Sequence, residues 1–201
     1  MKEQDNGRTE ELSSATWQFI VSHREDDVRT LALQARKYPQ VDMAEAVTQI
    51  AGWQIAVRKI PSWAATEGIL YSRHLSMEQC SSEITALYKA SLVGGESFTD
   101  LTAGLGVDCS FLARRFRRAD YVERQETLCR LAAHNFPLLG LDHIQVHHAD
   151  ALEYLREMEP VDCLFLDPAR RDSHGGKTVA ITECEPDVCA LESLLVEKGR
   201  K

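Results

Sequence analysis

The stretch FTDLTAGLGVDCSFLARRF, residues 98–116, constrains the fold of this chain more than any other segment. It begins with β-prone residues, passes through Gly104-Leu105-Gly106, and continues with the apolar spacing of a helix. A strand, a glycine-rich turn and a helix in this order place backbone N–H groups around a ligand. The stretch therefore predicts a cofactor-binding turn in an α/β fold, and it leaves the kind of cofactor open.

Residues from about 96 onward alternate between strand-like and helix-like patterns. We expect strands at 97–103, 119–124, 143–148 and 161–167, and helices at 107–117, 125–139, 150–158 and from about 186 almost to 201. This alternation predicts parallel βαβ units, and hence a Rossmann-like, doubly wound parallel sheet. Because such sheets commonly have about five to seven strands, the sheet is expected to be truncated after strand 4. Its open edge would then need a cover, such as the N-terminal helices or self-association with another copy.

Residues 1–92 are predicted to form a helical N-terminal domain, ahead of an α/β domain of residues 93–201. The predicted helices cover 10–23, 27–38, 43–60 and 76–92, and the segment 62–74 is expected to be irregular. Asp42 is the expected N-cap of the third helix. Ser76 and Gln79 match a capping box at the start of the fourth, which Gly94-Gly95 would end.

Composition excludes several classes of function. The chain has 201 residues and a net charge of −8, which argues against strong stand-alone binding of nucleic acid. The basic cluster at 114–118 is more typical of a solvated helix face than of an RNA-binding patch.

No apolar run is long enough to span a membrane, and the polar N-terminus resembles neither a signal nor a transit peptide, so a cytoplasmic location is expected. The six cysteines form no CxxC pair and the seven histidines are scattered, so we expect buried thiols and no metal.

Acidic residues at the strand ends indicate the kind of cofactor. Asp100 and Glu123 stand at the ends of the first two predicted strands, and Asp150 lies just past the third. The carboxyl ends of parallel strands meet at one edge of the sheet. Three carboxylates would repel a pyrophosphate, at a cost of about 1 kcal/mol for each well-screened pair of like charges at about 4 Å. A cofactor without phosphate and with a positive centre, such as S-adenosylmethionine (SAM), fits better than a nicotinamide dinucleotide. Cys109 stands where the dinucleotide fingerprint has its third small residue, and this leaves that test undecided.

The pattern D-x-T-A-G-x-G resembles the SAM-binding turn of class I SAM-dependent methyltransferases, and the resemblance extends over residues 96–172. It implies that Asp100 faces the methionine amino group, that Glu123 binds the ribose hydroxyls and that Asp150 binds the adenine amine. Asp150 could equally serve as a helix N-cap, and both roles can hold at once. The other residues implied to contact the cofactor are Thr102, Ala103, Gly104, Gly106, Arg124 and Ala151.

The segment 167-DPAR-170 resembles the D/N-P-P-Y/F/W motif of methyltransferases that act on the amino groups of bases. The resemblance implies that Asp167 and Pro168 orient the target amine, although an ordinary turn would explain them too. The aromatic residue of the motif is missing, and Arg170 or Arg171 would stack on the base or contact phosphate instead.

As a whole, the chain resembles a predicted RNA methyltransferase family whose longer members have a C-terminal THUMP-like RNA-binding region. The resemblance implies methyl transfer to a nucleobase amine of RNA. The alternative is a catalytically incomplete module that binds SAM or RNA.

Overall fold

A computed structural model describes residues 12–72, 74–167 and 186–200, and at 74–76 it describes the backbone alone. The helices that precede the sheet are α1 (Ser14–His23), α2 (Val28–Leu33), α3 (Met43–Lys59), α4 (Pro61–Ala64), α5 (His74–Gln79) and α6 (Glu83–Ser91). The α/β part contains β1 (Ser97–Asp100), α7 (Val107–Leu112), β2 (Arg118–Glu123), α8 (Glu126–Leu138), β3 (Ile144–His148), α9 (Ala151–Glu157), β4 (Cys163–Phe165) and α10 (Val188–Lys198). None of the helices in the described ranges is long and apolar enough to cross a membrane.

Side-chain caps decide where several helices begin. Ser13, Asp27, Asp42 and Ser82 each accept a hydrogen bond from a backbone N–H in the first turn of α1, α2, α3 and α6. The cap at Asp42 was predicted correctly. The single helix predicted for 76–92 was wrong, because the chain breaks after Gln79 and restarts behind Ser82. The segment 62–74 was predicted to be irregular, yet Pro61 starts the short helix α4.

The described strands form one parallel sheet in the order β3-β2-β1-β4. Phe98 and Asp100 of β1 lie opposite Ala119 and Tyr121 of β2 on one side, and opposite Cys163 and Phe165 of β4 on the other. From β1 the chain moves outward to β2 and then to β3, and it crosses back past β1 to form β4 on the opposite side. The strand order therefore reverses between β1 and β4. Such a switch point opens a crevice at the carboxyl ends of the two strands. The doubly wound parallel fold predicted from the sequence is confirmed.

Apolar side chains cover both faces of the sheet. On one face a continuous buried cluster combines Ile60, Trp63 and Met77 of the N-terminal part with Phe98 and Phe136 of the α/β part. On the other face, Leu101, Val122 and Leu155 pack against side chains of α10. The N-terminal helices therefore pack directly on the sheet, so the two parts share a core.

Two buried amides connect the segment before α5 to helices on either side. The Asn135 side chain in α8 both donates to the Leu70 carbonyl, at 2.8 Å, and accepts from the Leu70 N–H, at 2.9 Å. Gln49 in α3 makes the same pair of contacts with the backbone of Tyr71, at 2.9 and 2.8 Å. Because both amides are almost fully buried, these bonds fix the path of the chain between α4 and α5.

Strand β4 lies at the edge of the sheet, and the residue two positions before it forms backbone hydrogen bonds with the C-terminal segment. Val161 forms an isolated parallel bridge with Gly199, donating to the Lys198 carbonyl at 2.8 Å and accepting from Arg200 N–H at 3.1 Å. Residues 198–200 thus lie beside the start of β4. Self-association through the remaining edge stays a prediction.

Candidate cofactor site

A cavity of about 870 Å³ opens at the carboxyl ends of the strands. Its walls come from the turn after β1, the ends of β2 and β4, and the starts of α9 and α10. All residues predicted from the sequence to contact a cofactor line it: Asp100, Thr102, Ala103, Gly104, Gly106, Glu123, Arg124, Asp150 and Ala151. Asp167 lines it as well. The structure therefore brings these separate sequence positions to one place.

The backbone of the glycine-rich turn is bonded within the protein. Five N–H groups donate to protein acceptors at 2.8–3.2 Å, those of Leu101, Thr102, Ala103, Gly104 and Gly106. Two of the acceptors are carboxylate oxygens, Asp100 Oδ1 and Glu123 Oε2. A turn that cradles a phosphate needs its N–H groups free to point at the ligand. This turn uses most of its donors internally, and therefore suits a ligand that itself donates hydrogen bonds.

Gly104 and Gly106 are needed for different reasons. Both have positive φ, +55° at Gly104 and +84° at Gly106, which disfavours any residue with a Cβ. At Gly104 a Cβ would meet no atom closer than 3.9 Å, so the backbone conformation alone requires glycine. At Gly106 a Cβ would come within 3.0 Å of the Phe136 ring and 3.2 Å of the Tyr121 ring. The second glycine thus also permits close packing beneath the turn.

Glu123 is held in place from two directions at the end of β2. Its Oε2 accepts from the Gly104 N–H at 3.0 Å, and its Oε1 accepts from the Gln125 N–H at 2.8 Å. Tyr121, two residues earlier, donates its hydroxyl to the Gly104 carbonyl at 2.5 Å. The carboxylate is only 8% exposed and lines the cavity. A carboxylate fixed in this way presents its remaining lone pairs to hydroxyl donors of a ligand.

Asp100 is the last residue of β1, and its side chain is almost completely buried. Burial raises the pKa of its carboxyl well above the usual value, and the Thr102 N–H partly opposes this shift. The negative charges of Asp108 and Asp167 raise the pKa of Asp100 further, whereas Lys89 lowers it. A cationic ligand group beside Asp100 would remove the cost of ionising it. The site therefore favours a ligand with a positive charge at this point.

Asp150 caps α9. Its Oδ1 accepts from the Leu152 and Glu153 N–H groups at 2.8 and 3.2 Å, so the predicted capping role is confirmed. Asp150 is exposed, and among the described residues no protein donor bonds to its second oxygen. Ala151 lies next to it in the wall. The Arg124 side chain is also exposed, and its backbone carbonyl accepts from His148 Nε2 at 3.1 Å.

Asp167 lies at the end of β4 and is tied to the turn after β1. Its backbone N–H donates to the Thr102 hydroxyl at 2.8 Å, a contact across 65 residues of sequence. This bond brings the first residue of the D-P-A-R segment to the cofactor turn. Pro168, Arg170 and Arg171 lie outside the described residues.

Ser81, Asp108 and Phe165 of the cavity wall form one group with Lys89, which lies just behind the wall. Asp108 Oδ2, in the first turn of α7, accepts from Ser81 Oγ at 2.8 Å and from Lys89 Nζ at 2.9 Å. Lys89 Nζ also lies 5.1 Å from the centre of the Phe165 ring. None of these four residues was predicted from the sequence to contact a cofactor. Their positions 81, 89, 108 and 165 share no local pattern, and only the packing of α6 on α7 brings them together.

The charge of the cavity is strongly negative. Six carboxylates line it, those of Asp100, Asp108, Glu123, Asp150, Asp167 and Asp187. Arg124 is the single basic residue among the described lining residues. In the described parts of the chain, no group of three or more His, Cys, Asp or Glu side chains is placed to hold a metal ion. The acidic walls therefore suit an organic cation with hydroxyl and amine donors.

Comparisons with known proteins agree with this geometry at the level of the fold. No known protein-family profile matches the chain. It is 30% identical over 131 residues to the 23S rRNA (uracil(1939)-C(5))-methyltransferase RlmD of Colwellia psychrerythraea, a match that covers 58% of this chain and 28% of that one. A crystal structure from Porphyromonas gingivalis W83, assigned as a methyltransferase, superposes with a TM-score of 0.76 at 30% identity. That match covers 92% of this chain and 46% of the other.

The chain thus spans less than a third of the curated relative and less than half of the solved one. Within that span, the solved relative shares both the sheet and the helices that precede it. The chain has the Rossmann-like fold of methyltransferases.

Proposed function

We propose that this chain is the cofactor-binding part of a SAM-dependent methyltransferase that acts on RNA. The observation that carries the proposal is the chemistry of the cavity. Six carboxylates surround a turn whose backbone N–H groups are mostly used internally. A pyrophosphate would find repulsion and few donors there, whereas SAM offers an ammonium, a sulfonium, a ribose diol and an adenine amine.

The residues present fit the parts of this cofactor. Asp100 accepts from the ammonium group, and Glu123 accepts from the ribose hydroxyls through the lone pairs that the protein leaves unused. Asp150 accepts from the adenine amine while it continues to cap α9. Ser81 and Asp108 line the cavity with Asp100 and are placed to contact the charged methionine tail, and Lys89 holds Asp108 in place at 2.9 Å.

Catalysis in this proposal is mainly positioning. SAM supplies an activated methyl group on a good leaving group, so the protein needs no strong nucleophile of its own. Asp167 accepts a hydrogen bond from the target amine and orients the amine lone pair. The bond from its backbone to Thr102 fixes the distance between the target side and the cofactor turn. Pro168 would act with Asp167, and Arg170 or Arg171 would contact the base or a phosphate.

RNA is the proposed substrate because the curated relative is an rRNA methyltransferase. That relative methylates a carbon of uracil, and a weakly nucleophilic ring carbon usually needs activation by a thiolate. Cys80 is the one cysteine among the described lining residues. Burial raises the pKa of its thiol, which donates to the Met77 carbonyl at 3.1 Å. These features disfavour a thiolate at Cys80. The amine is proposed as the methyl acceptor because 167-DPAR-170 resembles the motif of methyltransferases that act on the amino groups of bases.

Calorimetry tests the cofactor, with SAM, S-adenosylhomocysteine and NAD titrated into the wild-type chain. We expect SAM and S-adenosylhomocysteine to bind and NAD to bind more weakly. Replacement Asp100→Ala should weaken SAM binding by about tenfold or more, since a hydrogen bond to a charged group is lost. Tighter binding of NAD, or no binding of SAM, would contradict the proposal.

Incorporation of labelled methyl groups into total RNA tests the reaction. Label in RNA that digests to N-methylated nucleosides would support an amine target, whereas label on a ring carbon would exclude it. SAM binding without any transfer would favour the alternative, a module that binds SAM but lacks the rest of its active site. This chain spans 28% of the curated relative and 46% of the solved one, so the rest of an active site could lie in the parts that it does not span.

A further inference from the structure

The amino ends of the strands carry a second charged surface, opposite the cavity. After α7 the chain makes a short 3₁₀ turn over Ala113–Arg115 and then enters β2 at Arg118. On this edge of the sheet lie five arginines, which we call the arginine edge: Arg114, Arg115, Arg117, Arg118 and Arg200. The first four are exposed and fall within five consecutive residues. The cluster is notable because the chain as a whole has a net charge of −8.

Much of this positive charge is not neutralised. Arg117 pairs with Glu96 at 3.4 Å, with both side chains largely in solvent, and Arg200 pairs with Asp162 at 3.2 Å. The Arg114 guanidinium donates to the Leu139 carbonyl, which carries no formal charge, at 3.0 Å. Within the described ranges, no carboxylate lies within 4.0 Å of the Arg114, Arg115 or Arg118 guanidinium groups. Exposed pairs such as Arg117–Glu96 are weak and exchange readily for another anion.

The spacing of the arginines suits a repeating anion. Arg118 on β2 lies opposite Ser97 on β1, and Ser97 Oγ accepts from the Asp162 N–H just before β4. Arg200 lies one strand spacing beyond β4, beside Val161. With neighbouring strands about 4.8 Å apart, the edge from Arg118 to Arg200 measures about 14 Å. Successive phosphates of one strand advance about 3.4 Å along the axis of a DNA duplex, and at a comparable spacing in RNA several would contact this edge.

The cavity itself is poorly suited to holding a phosphate backbone. Its six lining carboxylates would repel phosphates near the cofactor. An RNA substrate therefore needs a positive surface elsewhere on the protein. The arginine edge lies five residues of β2 away from Glu123, or about 16 Å along the strand.

We propose that the arginine edge binds the phosphate backbone of the RNA substrate at a distance from the nucleotide that enters the cavity. This inference rests on the proposed function for the identity of the polyanion. The RNA passes over the amino end of the sheet, and a neighbouring segment reaches the carboxyl end. Glu96 and Asp162 pair with two of the five arginines, and within the described residues the other three have no carboxylate partner, so the edge keeps a net positive charge.

Fluorescence anisotropy with a labelled RNA hairpin tests this proposal in the full chain. The test variant carries R114Q, R115Q, R117Q and R118Q. The matched control carries R29Q, R36Q, K37Q and R58Q, which remove the same charge from exposed positions in the part of the chain before the sheet. We expect the test variant to bind RNA at least about tenfold more weakly at about 50 mM salt, and its log–log salt slope to be shallower by about 2 to 3. The control should differ from wild type by less than about twofold.

Equal weakening in both variants would overturn the proposal, since it would show an effect of net charge alone. Wild-type chain that binds SAM but not the hairpin at about 50 mM salt would overturn it too. Calorimetry with SAM on the test variant should match wild type, because no residue of the arginine edge lines the cavity. Failure of SAM binding in the wild type would instead count against the proposed function, and the anisotropy result would still decide whether the edge binds RNA.

Discussion

Lys89 Nζ lies 2.9 Å from Asp108 Oδ2 and joins α6, which precedes the sheet, to the helix that follows the glycine-rich turn. Both side chains are largely shielded from solvent, at 26% and 14% exposure. The pair therefore connects the N-terminal part of the chain to the cofactor site.

The first prediction concerns this pair and the methionine tail. Replacements Asp108→Asn and Lys89→Met should weaken binding of SAM and S-adenosylhomocysteine by about tenfold, as expected when a charged hydrogen bond is lost. Binding of 5′-methylthioadenosine, which lacks the amino-acid tail, should stay within about twofold of wild type. Calorimetry with the three ligands measures the difference. Asp26→Asn, an exposed carboxylate outside the cavity wall, is the control. An equal loss for all three ligands would show that the pair only supports the fold.

The second prediction concerns the pH dependence of stability. Burial raises the pKa of Asp100 above its value in the unfolded chain. The folded state then binds more protons than the unfolded state between the two pKa values, so the contribution of Asp100 to stability is lost as pH rises through this window. Asp100→Asn should therefore raise the melting temperature of the ligand-free chain at pH 8 and change it much less at pH 4. Scanning fluorimetry across pH checks this. A variant that is less stable at pH 8 would show that the ionised carboxylate stabilises the fold.

The third prediction separates close packing from backbone conformation. Gly106→Ala combines a φ of +84° with a contact of 3.0 Å to Phe136, so it should lower the free energy of unfolding by about 2–4 kcal/mol. Gly140→Ala has a φ of +70° and no atom within 4 Å, so only the backbone cost of about 1–2 kcal/mol applies. Urea unfolding followed by circular dichroism measures both. Equal losses would mean that Phe136 moves aside without cost.

The fourth prediction concerns Asn135. Removing its amide leaves the buried N–H and carbonyl of Leu70 without their partner, and Asn135→Ala should therefore destabilise the chain by about 2–4 kcal/mol. The neighbouring His134→Ala removes a solvent-exposed bond from Nε2 to the Gly68 carbonyl, at 2.8 Å, and should cost less than about 1 kcal/mol because water can replace it. Since the core is shared by both parts, the loss should appear as one shifted unfolding transition. Two separate transitions would show that the N-terminal part unfolds alone.

The fifth prediction separates the two roles of Asp150. Asparagine retains the cap on α9, so Asp150→Asn should change stability by less than about 0.5 kcal/mol, whereas Asp150→Ala should cost about 1 kcal/mol. Loss of the acceptor for the adenine amine should weaken SAM binding in the alanine variant by about fivefold, the value of one ordinary hydrogen bond. Unchanged affinity in Asp150→Ala would leave capping as its one role.

The sequence predicted the carboxyl edge of the sheet well for a local reason. Asp100, Glu123 and Asp150 each follow a β-prone run, and parallel strands end at a common edge, so local pattern and topology together place them in one cavity. The limits of the strands were less predictable. The first strand was expected to reach residue 103 but ends at Asp100, because the Thr102 and Gly104 N–H groups beyond it donate to side-chain carboxylates rather than to a neighbouring strand.

Contacts between distant elements could not be predicted in this way. Lys89 and Asp108 are 19 residues apart and meet only because α6 packs on α7. The break between α5 and α6 was missed since Ser76 and Ser82 both resemble N-caps, and tertiary packing decides between them. The bond between the Asp167 backbone and Thr102, which joins positions 65 residues apart, depends likewise on the pairing of β4 with β1.

The two backbone bonds to Glu123 have a consequence for the thermodynamics of binding. A free glutamate side chain loses up to about 2 kcal/mol of rotamer entropy when a ligand immobilises it. Here the Gly104 and Gln125 N–H groups already hold both oxygens in the absence of any ligand. The ribose of a bound cofactor would meet a preorganised acceptor, so little conformational entropy would be lost at this position on binding.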